Sequence, residues 1–301
     1  MLLRKSYKRR KSRNKRKQKR FKRTRKAYHI GGSDPHSDTK VFHFFNSHHL
    51  GDNIFNLKFF FDISDIMKQN GISIKYYYNN TYVNNNREEL ERFINNDTMS
   101  LHVFTDKPAN AVELWMGNMI EGIHHHNFDT YYNAFYTNIL KLIGLDGKDI
   151  DTSLYQPEPY LQDIYNDINK KFNDKYKDLD ILVINAIPNS GQMIYDKKKF
   201  DDMCIMLNKK YKIVTTTHVN GDIKCTADDK LKLQDIGAIS THVKYIIGVH
   251  SGPIAPCYNK DTKSSVKKWI LFLDRELEHK EINVVRLNSH YDFMKVEEHL
   301  T

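Results

Sequence analysis

The chain has 301 residues, 47 Lys+Arg against 37 Asp+Glu, a formal net charge of +10 and 40% hydrophobic residues. The positive excess is local: residues 1–28 hold 16 Lys/Arg and no acid, which leaves 31 basic against 37 acidic residues behind them. A mildly acidic body with enough apolar residues for a sizeable core follows a basic leader, which excludes wholesale disorder and a protein basic throughout.

In chain order, residues 1–28 alternate Lys/Arg with Ser, Asn and Gln, and like-charge repulsion predicts disorder. Residues 4–26 suit a tether to nucleic acid or to an anionic membrane, a nuclear address, or a solubilising tail. Gly31-Gly32-Ser33-Asp34-Pro35 reads as a linker. Residues 41–45 read as a buried strand that breaks at His48-His49-Leu50-Gly51-Asp52, with helical spacing from 54 to 67 and a second strand at 72–77. A helix at 89–95, strands at 101–104 and 111–116, and an apolar helix at 131–143 closed by Gly144 follow. Residues 151–179 form a connector with a charged helix around 161–172. The alternation then restarts: strand 180–185, turn Pro188-Asn189-Ser190-Gly191-Gln192, helix 200–209, strand 211–217, helix 231–243 and strand 245–250. Ser251-Gly252-Pro253 opens a further helix, 266–273 reads as helical, and 282–287 as a last strand. Two parallel α/β units separated by a linker are the predicted organisation.

Three scattered cysteines, Cys204, Cys225 and Cys257, exclude a disulfide scaffold and a cysteine zinc site and suit a reducing compartment. No apolar run approaches the ~20 residues of a transmembrane helix. The charge directly behind Met1-Leu2-Leu3 leaves no room for a secretory h-region. The expectation is a cytoplasmic chain, soluble or peripheral to a membrane, or a nuclear one if the leader is an address.

Both halves place a small-residue turn where a strand hands over to a helix, and open α/β sheets bind ligands at the carboxyl ends of their strands. Ser251-Gly252-Pro253 suits phosphate: Gly252 admits close approach, and Pro253 gives up only an N–H that a helix start leaves free. Asp52 reads by default as an N-cap. Beside Gly51, His48 and His49 it also reads as a carboxylate placed to take a proton from an acceptor hydroxyl. His124-His125-His126 reads as a solvated turn because adjacent imidazoles do not converge on one ion. His43, on an apolar strand, reads as a satisfied core residue. Trp115 reads either as core or as a sugar-stacking ring, and Lys197-Lys198-Lys199 as a solvated helix start. No Walker loop, Gly-x-Gly-x-x-Gly or Ser-His-Asp order is present.

The stretch Asn46-Ser47-His48-His49-Leu50-Gly51-Asp52-Asn53-Ile54 resembles the Gly-Asp helix start of the heptosyltransferase-like GT-B glycosyltransferases (glycosyltransferase family 9-like). Asn189-Ser190-Gly191 before a helix, and residues 233–253 ending in His250-Ser251-Gly252-Pro253, are similar to the second half of that family. The resemblance implies a GT-B fold: two Rossmann-like domains facing across a cleft, at 39–155 on the acceptor side and 156–301 on the nucleotide-sugar side, behind a basic tail and linker at 1–38. It implies an inverting, metal-independent transfer of a sugar from a nucleotide-sugar donor to a hydroxyl of a glycan, lipid-linked or protein acceptor, with no further cofactor. Carried over by residue, Asp52 is the base and Gly51 the close backbone approach. Asn189, Ser190, Gly191, His218, His250, Ser251, Gly252 and Pro253 lie on the donor. The sequence departs from the family at His250, where Asp is usual, at Ile254-Ala255-Pro256, and at Leu57-Lys58.

Two other readings are compatible with the sequence. One is a nucleic-acid- or surface-binding structural protein that acts through the leader with an inactive body. The other is a nucleotide-sugar epimerase on the same plan.

Overall fold

The structure is a computed structural model that describes residues 39–300 except 82, 84, 85, 120–126, 189 and 190. The basic leader, the histidines at 124–126, and Asn189 and Ser190 lie outside the described residues.

Strands β1 (Lys40–Asn46), β2 (Ile72–Tyr78), β3 (Met99–Val103) and β4 (Val112–Glu113) form a parallel sheet in the order β3-β2-β1-β4. A second parallel sheet contains β5 (Ile181–Ile184), β6 (Ile213–Thr215), β7 (Lys224–Cys225), β8 (Tyr245–Val249), β9 (Lys268–Phe272) and β10 (Val284–Leu287), ordered β10-β9-β8-β5-β6-β7. Each sheet starts with an inner strand, winds outward to one side, and returns to continue on the other. The strand order therefore reverses beside β1 and beside β5, and a ligand crevice opens at the carboxyl ends of such strands.

The connecting helices are α1 (Leu50–Asp62), α2 (Ser64–Gln69), α3 (Arg87–Glu91), α4 (Met116–Met119), α5 (Phe128–Ile143), α6 (Tyr160–Lys171), α7 (Lys197–Leu207), α8 (Leu233–Ser240) and α9 (Lys260–Ser265). Helix α5 is built by local rules. The Asn127 side chain accepts from the Thr130 N–H, Tyr132, Phe135, Tyr136, Ile139 and Ile143 supply a buried stripe, and Gly144 ends it in the left-handed region at φ 76°. Helix α1 is different: residues 53 to 60 are buried without a break, so it has no solvent face and lies inside the molecule.

Its covering explains the core. One apolar cluster runs from Phe44 and Tyr76 of the first sheet through Phe55, Tyr132 and Tyr258 to Trp269 and Leu271 of the second. A smaller cluster, with Val183, Phe200, Met203, Ile247 and Phe272, fills the far side of the second sheet.

Three sequence expectations are corrected. Residues 266–273 hold strand β9, not a helix. Trp269 to Phe272 are buried between β8 and β10, and an apolar run buried on every side carries no period to separate the two structures. The turn at 251–253 opens a 3₁₀ segment, Gly252–Cys257, in place of an α-helix, with Pro256 inside it. The strand expected at 111–116 shortens to β4, and the chain turns into α4 at Met116.

Candidate functional site

The first reversal point is tied together by polar side chains. Buried Asn46 donates from Nδ2 to the Leu114 carbonyl (2.7 Å) and accepts the His48 N–H (2.8 Å). Ser47 donates to Glu113 (2.5 Å). The His48 ring lies on Trp115, centroids 4.4 Å apart at 23°. Gly117 permits this, since a Cβ there would stand 2.6 Å from the indole. One face of Trp115, in the turn after β4, thus carries the imidazole of the turn after β1. Below it, Asn53 donates to the His48 and His49 carbonyls (3.1 and 2.9 Å) and accepts Tyr76 Oη (3.0 Å).

His49, not Asp52, is the N-cap of α1, and it makes no side-chain cap. Asp52 sits in the first turn, and its carboxylate reaches back to the His49 N–H, half of a capping box. Burial pushes its pKa above the usual carboxylate range, against the pull of His48, His49 and the backbone N–H groups. Burial likewise holds His48 below the usual imidazole range, more than Asp52 and Glu113 raise it. A carboxylate with raised proton affinity beside a neutral imidazole is suited to accept a proton.

The second reversal point lies at the ends of β5 and β8. Ser251 caps the 3₁₀ segment with extended backbone (φ −139°, ψ 175°), and Pro253 occupies its first turn. Its neighbour is the first site: a Cβ on Gly51 would lie 2.7 Å from Gly252 Cα, and one on Gly252 would lie 3.0 Å from Gly51 N. The two turns expected on opposite walls meet backbone to backbone. The close approach that the two glycines permit is to each other, and the N-termini of α1 and of the 3₁₀ segment converge there.

The other expected donor residues are dispersed. His250 turns its ring inward against Phe128 (4.8 Å) and His279 (5.4 Å), and burial together with His279 lowers its pKa to about 3, so it offers no cation to a phosphate. His218 is exposed and stands 3.6 Å from Asp228. Gly191 is left-handed (φ 62°) with open space where a Cβ would be. Lys197 and Lys198 pair with Asp201 and Asp202 along α7.

Several structuring residues carry no sequence signal. Asn185, at the end of β5, accepts from Thr216 and Thr217 N–H (3.1 and 2.9 Å), and its carbonyl accepts Tyr195 Oη (2.6 Å). Asp274 accepts the Ile194 and Ser289 N–H groups (2.8 and 2.7 Å), bracing the loops after β5 and β10. Buried Lys58 of α1 pairs with Glu158 (2.5 Å) and donates to the Tyr258 carbonyl, so α1 is pinned to both the connector and the second half. Asp129 accepts the Lys280 and Glu281 N–H groups (2.6 and 3.0 Å), Tyr155 Oη (3.0 Å) and His279 Nδ1 (3.3 Å). Burial pushes the Asp129 pKa up, but these bonds outweigh it and hold it below the usual range.

Among the described residues no group of three or more His, Cys, Asp or Glu is arranged to hold a metal ion, and no helix is long and apolar enough to cross a membrane.

No protein-family model matches the sequence, and no curated protein matches it. Solved structures match the fold. E. coli heptosyltransferase WaaC with ADP-2-deoxy-2-fluoro heptose aligns at TM-score 0.53 and 8% identity, over 86% of this chain and 98% of that one. The same E. coli enzyme with ADP aligns at 0.52 and 8%, over 86% and 96%. A glycosyl transferase family 9 protein from Veillonella parvula DSM 2008 aligns at 0.48 and 13%, over 84% and 86%. The chain has the GT-B fold.

Proposed function

We propose that this chain is a glycosyltransferase that moves a sugar from a nucleotide-sugar donor to an acceptor hydroxyl by a single, inverting displacement that uses no metal. The observation that carries the reading is the meeting of two helical N-termini at Gly51 and Gly252 with the Asp52 carboxylate in the first turn of one of them. Converging N–H groups offer partial positive charge to a leaving diphosphate. A buried carboxylate beside them supplies the base.

In the proposed step the acceptor oxygen attacks the anomeric carbon while its proton passes to Asp52. The bond from that carbon to the diphosphate oxygen breaks, and the diphosphate leaves with the electron pair. In this reading the Ser251 hydroxyl, which rests against the Val249 carbonyl (3.4 Å), turns with the Gly252 N–H to the developing charge, and Gly191 belongs to the donor side. Asn189 and Ser190 complete the donor side in this reading. One line of support is that the E. coli heptosyltransferase was solved with an ADP-sugar.

The test is a panel of nucleotide-sugars, ADP-sugars first, scored for calorimetric binding and for nucleoside diphosphate release with and without glycan acceptors. One donor class should bind, and Asp52→Asn should retain that binding while its transfer rate falls about 10²- to 10⁴-fold. Transfer at the wild-type rate by Asp52→Asn removes the proposed base. Donor binding with turnover to a sugar epimer and no diphosphate release replaces the reading with the epimerase.

A further inference from the structure

A parallel sheet is ordinarily covered on both faces. The second sheet obeys this: β5 is buried along its whole length, as are β8 and β9 beyond their first residues. The first sheet does not. On one face Phe44, Ile74, Tyr76 and Tyr78 are all at or below 1% exposure. The alternate residues form the other face, and register places them in two rows: His43–Lys75–Ser100, then Phe45–Tyr77–His102. Lys75 is exposed, His43, Tyr77, Ser100 and His102 are half-buried, and Phe45 is buried against Phe104 at one end of the face, so His43 is not the core residue its strand suggests.

The polar groups of this face are joined. His43 Nδ1 bonds Tyr77 Oη (3.1 Å), and His102 Nε2 bonds Ser100 Oγ (2.9 Å). His43 stacks on Tyr77, centroids 5.9 Å apart at 20°, and Tyr77 meets His102 at 5.1 Å and 31°. A Tyr77 ring already packed against both imidazoles is not a free platform for a nucleobase. No carboxylate pairs with Lys75 among the described residues. The acid in line with the second row, Glu113, lies beyond Phe45 and is taken by Ser47. Burial, then Lys75 and the neighbouring His102, hold His43 below the usual imidazole range; burial, then Lys75 and Arg87, do the same for His102. The strand that carries His43 begins at Lys40, directly behind a leader with 16 Lys/Arg in its first 28 residues.

The geometry points to this open face as a docking surface for a bilayer rich in anionic phospholipid, with Lys75, His43 and His102 set against the headgroup phosphates. A row of donors on one sheet face matches a plane of phosphates, and the leader sequence, with 16 Lys/Arg and no acid in residues 1–28, carries charge of the same sign. Anions near the two imidazoles raise their proton affinity, so binding and protonation reinforce each other. The groups around them are Lys75, Tyr77, Ser100, Arg87 and each other, and the acid tied to this set, Glu91, is paired with Arg87 (2.5 Å).

The test is flotation of the full chain with vesicles of phosphatidylcholine, with and without phosphatidylglycerol, at about pH 6 and about pH 8. The wild type should float only with the anionic vesicles, and more at the lower pH. Lys75→Glu should lower the partition coefficient about tenfold with an unchanged melting midpoint, since the side chain is exposed. The His43→Gln/His102→Gln double variant should lose the pH dependence. Wild-type partition by Lys75→Glu would assign attachment to the leader alone and overturn the proposal. So would capture of a single-stranded oligonucleotide in preference to the vesicles.

Discussion

Gly51 and Gly252 stand in backbone contact, 201 residues apart in sequence, with 2.7 Å between the Cα of Gly252 and the place a side chain on Gly51 would begin. Neither backbone can yield without moving a helical N-terminus. Gly51→Ala should therefore cost about 1–3 kcal/mol. Gly252→Ala, whose Cβ would meet Gly51 N at 3.0 Å, should cost less. Urea unfolding of the two variants measures the order, and equal stability of both with wild type would show that the contact is not tight.

Asp52 should trade stability for chemistry. Its pKa is raised by burial, so the native state holds this proton more tightly than the unfolded chain. That contribution is present below the unfolded pKa and is lost as pH rises through the folded one. At neutral pH the ionised carboxylate is a burden that Asn lacks, and Asp52→Asn should melt higher than wild type at pH 7 while transferring sugar far more slowly. The transfer rate of the wild type should fall as acid protonates Asp52, at a pH above the ordinary carboxylate range. Thermal melts and a pH–rate profile check both halves.

Lys58 and Glu158 are both 2% exposed. Lys58→Ala should cost about 3–5 kcal/mol, because it strands a buried carboxylate, and Lys58→Met with Glu158→Gln should recover most of that loss. Asp62 belongs to the same cluster: burial first, then Glu158, push its pKa up to about 8 against the pull of Lys58. Its contribution is complete in acid and disappears as pH rises towards about 8, so Asp62→Asn should flatten the alkaline fall of the melting midpoint. Parallel curves for wild type and variant would place the titration elsewhere.

Asp129 should show the opposite sign. Its lowered pKa means that the stability it confers is present above the ordinary carboxylate value and is lost only as pH falls through the folded one. Asp129→Ala should speed amide exchange at Lys280 and Glu281 about tenfold to a hundredfold, because both N–H groups lose a charged acceptor. Hydrogen exchange followed by peptide mass spectrometry resolves this segment.

What the sequence displayed was what is local in it. The strand–turn–helix alternation, the αL stop at Gly144 and the Gly-Asp turn each sit within a few residues, and each has its cause there. Strand β9 misled because Trp269-Ile270-Leu271-Phe272 is apolar at every position, and burial on both faces erases the alternation that marks a strand. The meeting of Gly51 with Gly252, the Asp129–Lys280 bonds and the Lys58–Tyr258 link join residues some 150 to 200 positions apart. Nothing near either partner announces the other. The open face of the first sheet was hidden for a related reason: His43 sits in an apolar strand, and only strand register shows Lys75 and Ser100 beside it.

The shared core has a consequence for how the chain is made. Helix α1 is buried without a break from 53 to 60 and receives part of its cover from Tyr258, about 200 residues downstream. At about 5–20 residues per second, a ribosome takes roughly ten to forty seconds to extend the chain that far. During that interval Phe55 and Lys58 have no complete shelter, and the nascent first half is a natural client for a chaperone. A codon-level slowdown before residue 258 would lengthen that exposure, and the yield of folded protein should fall with it.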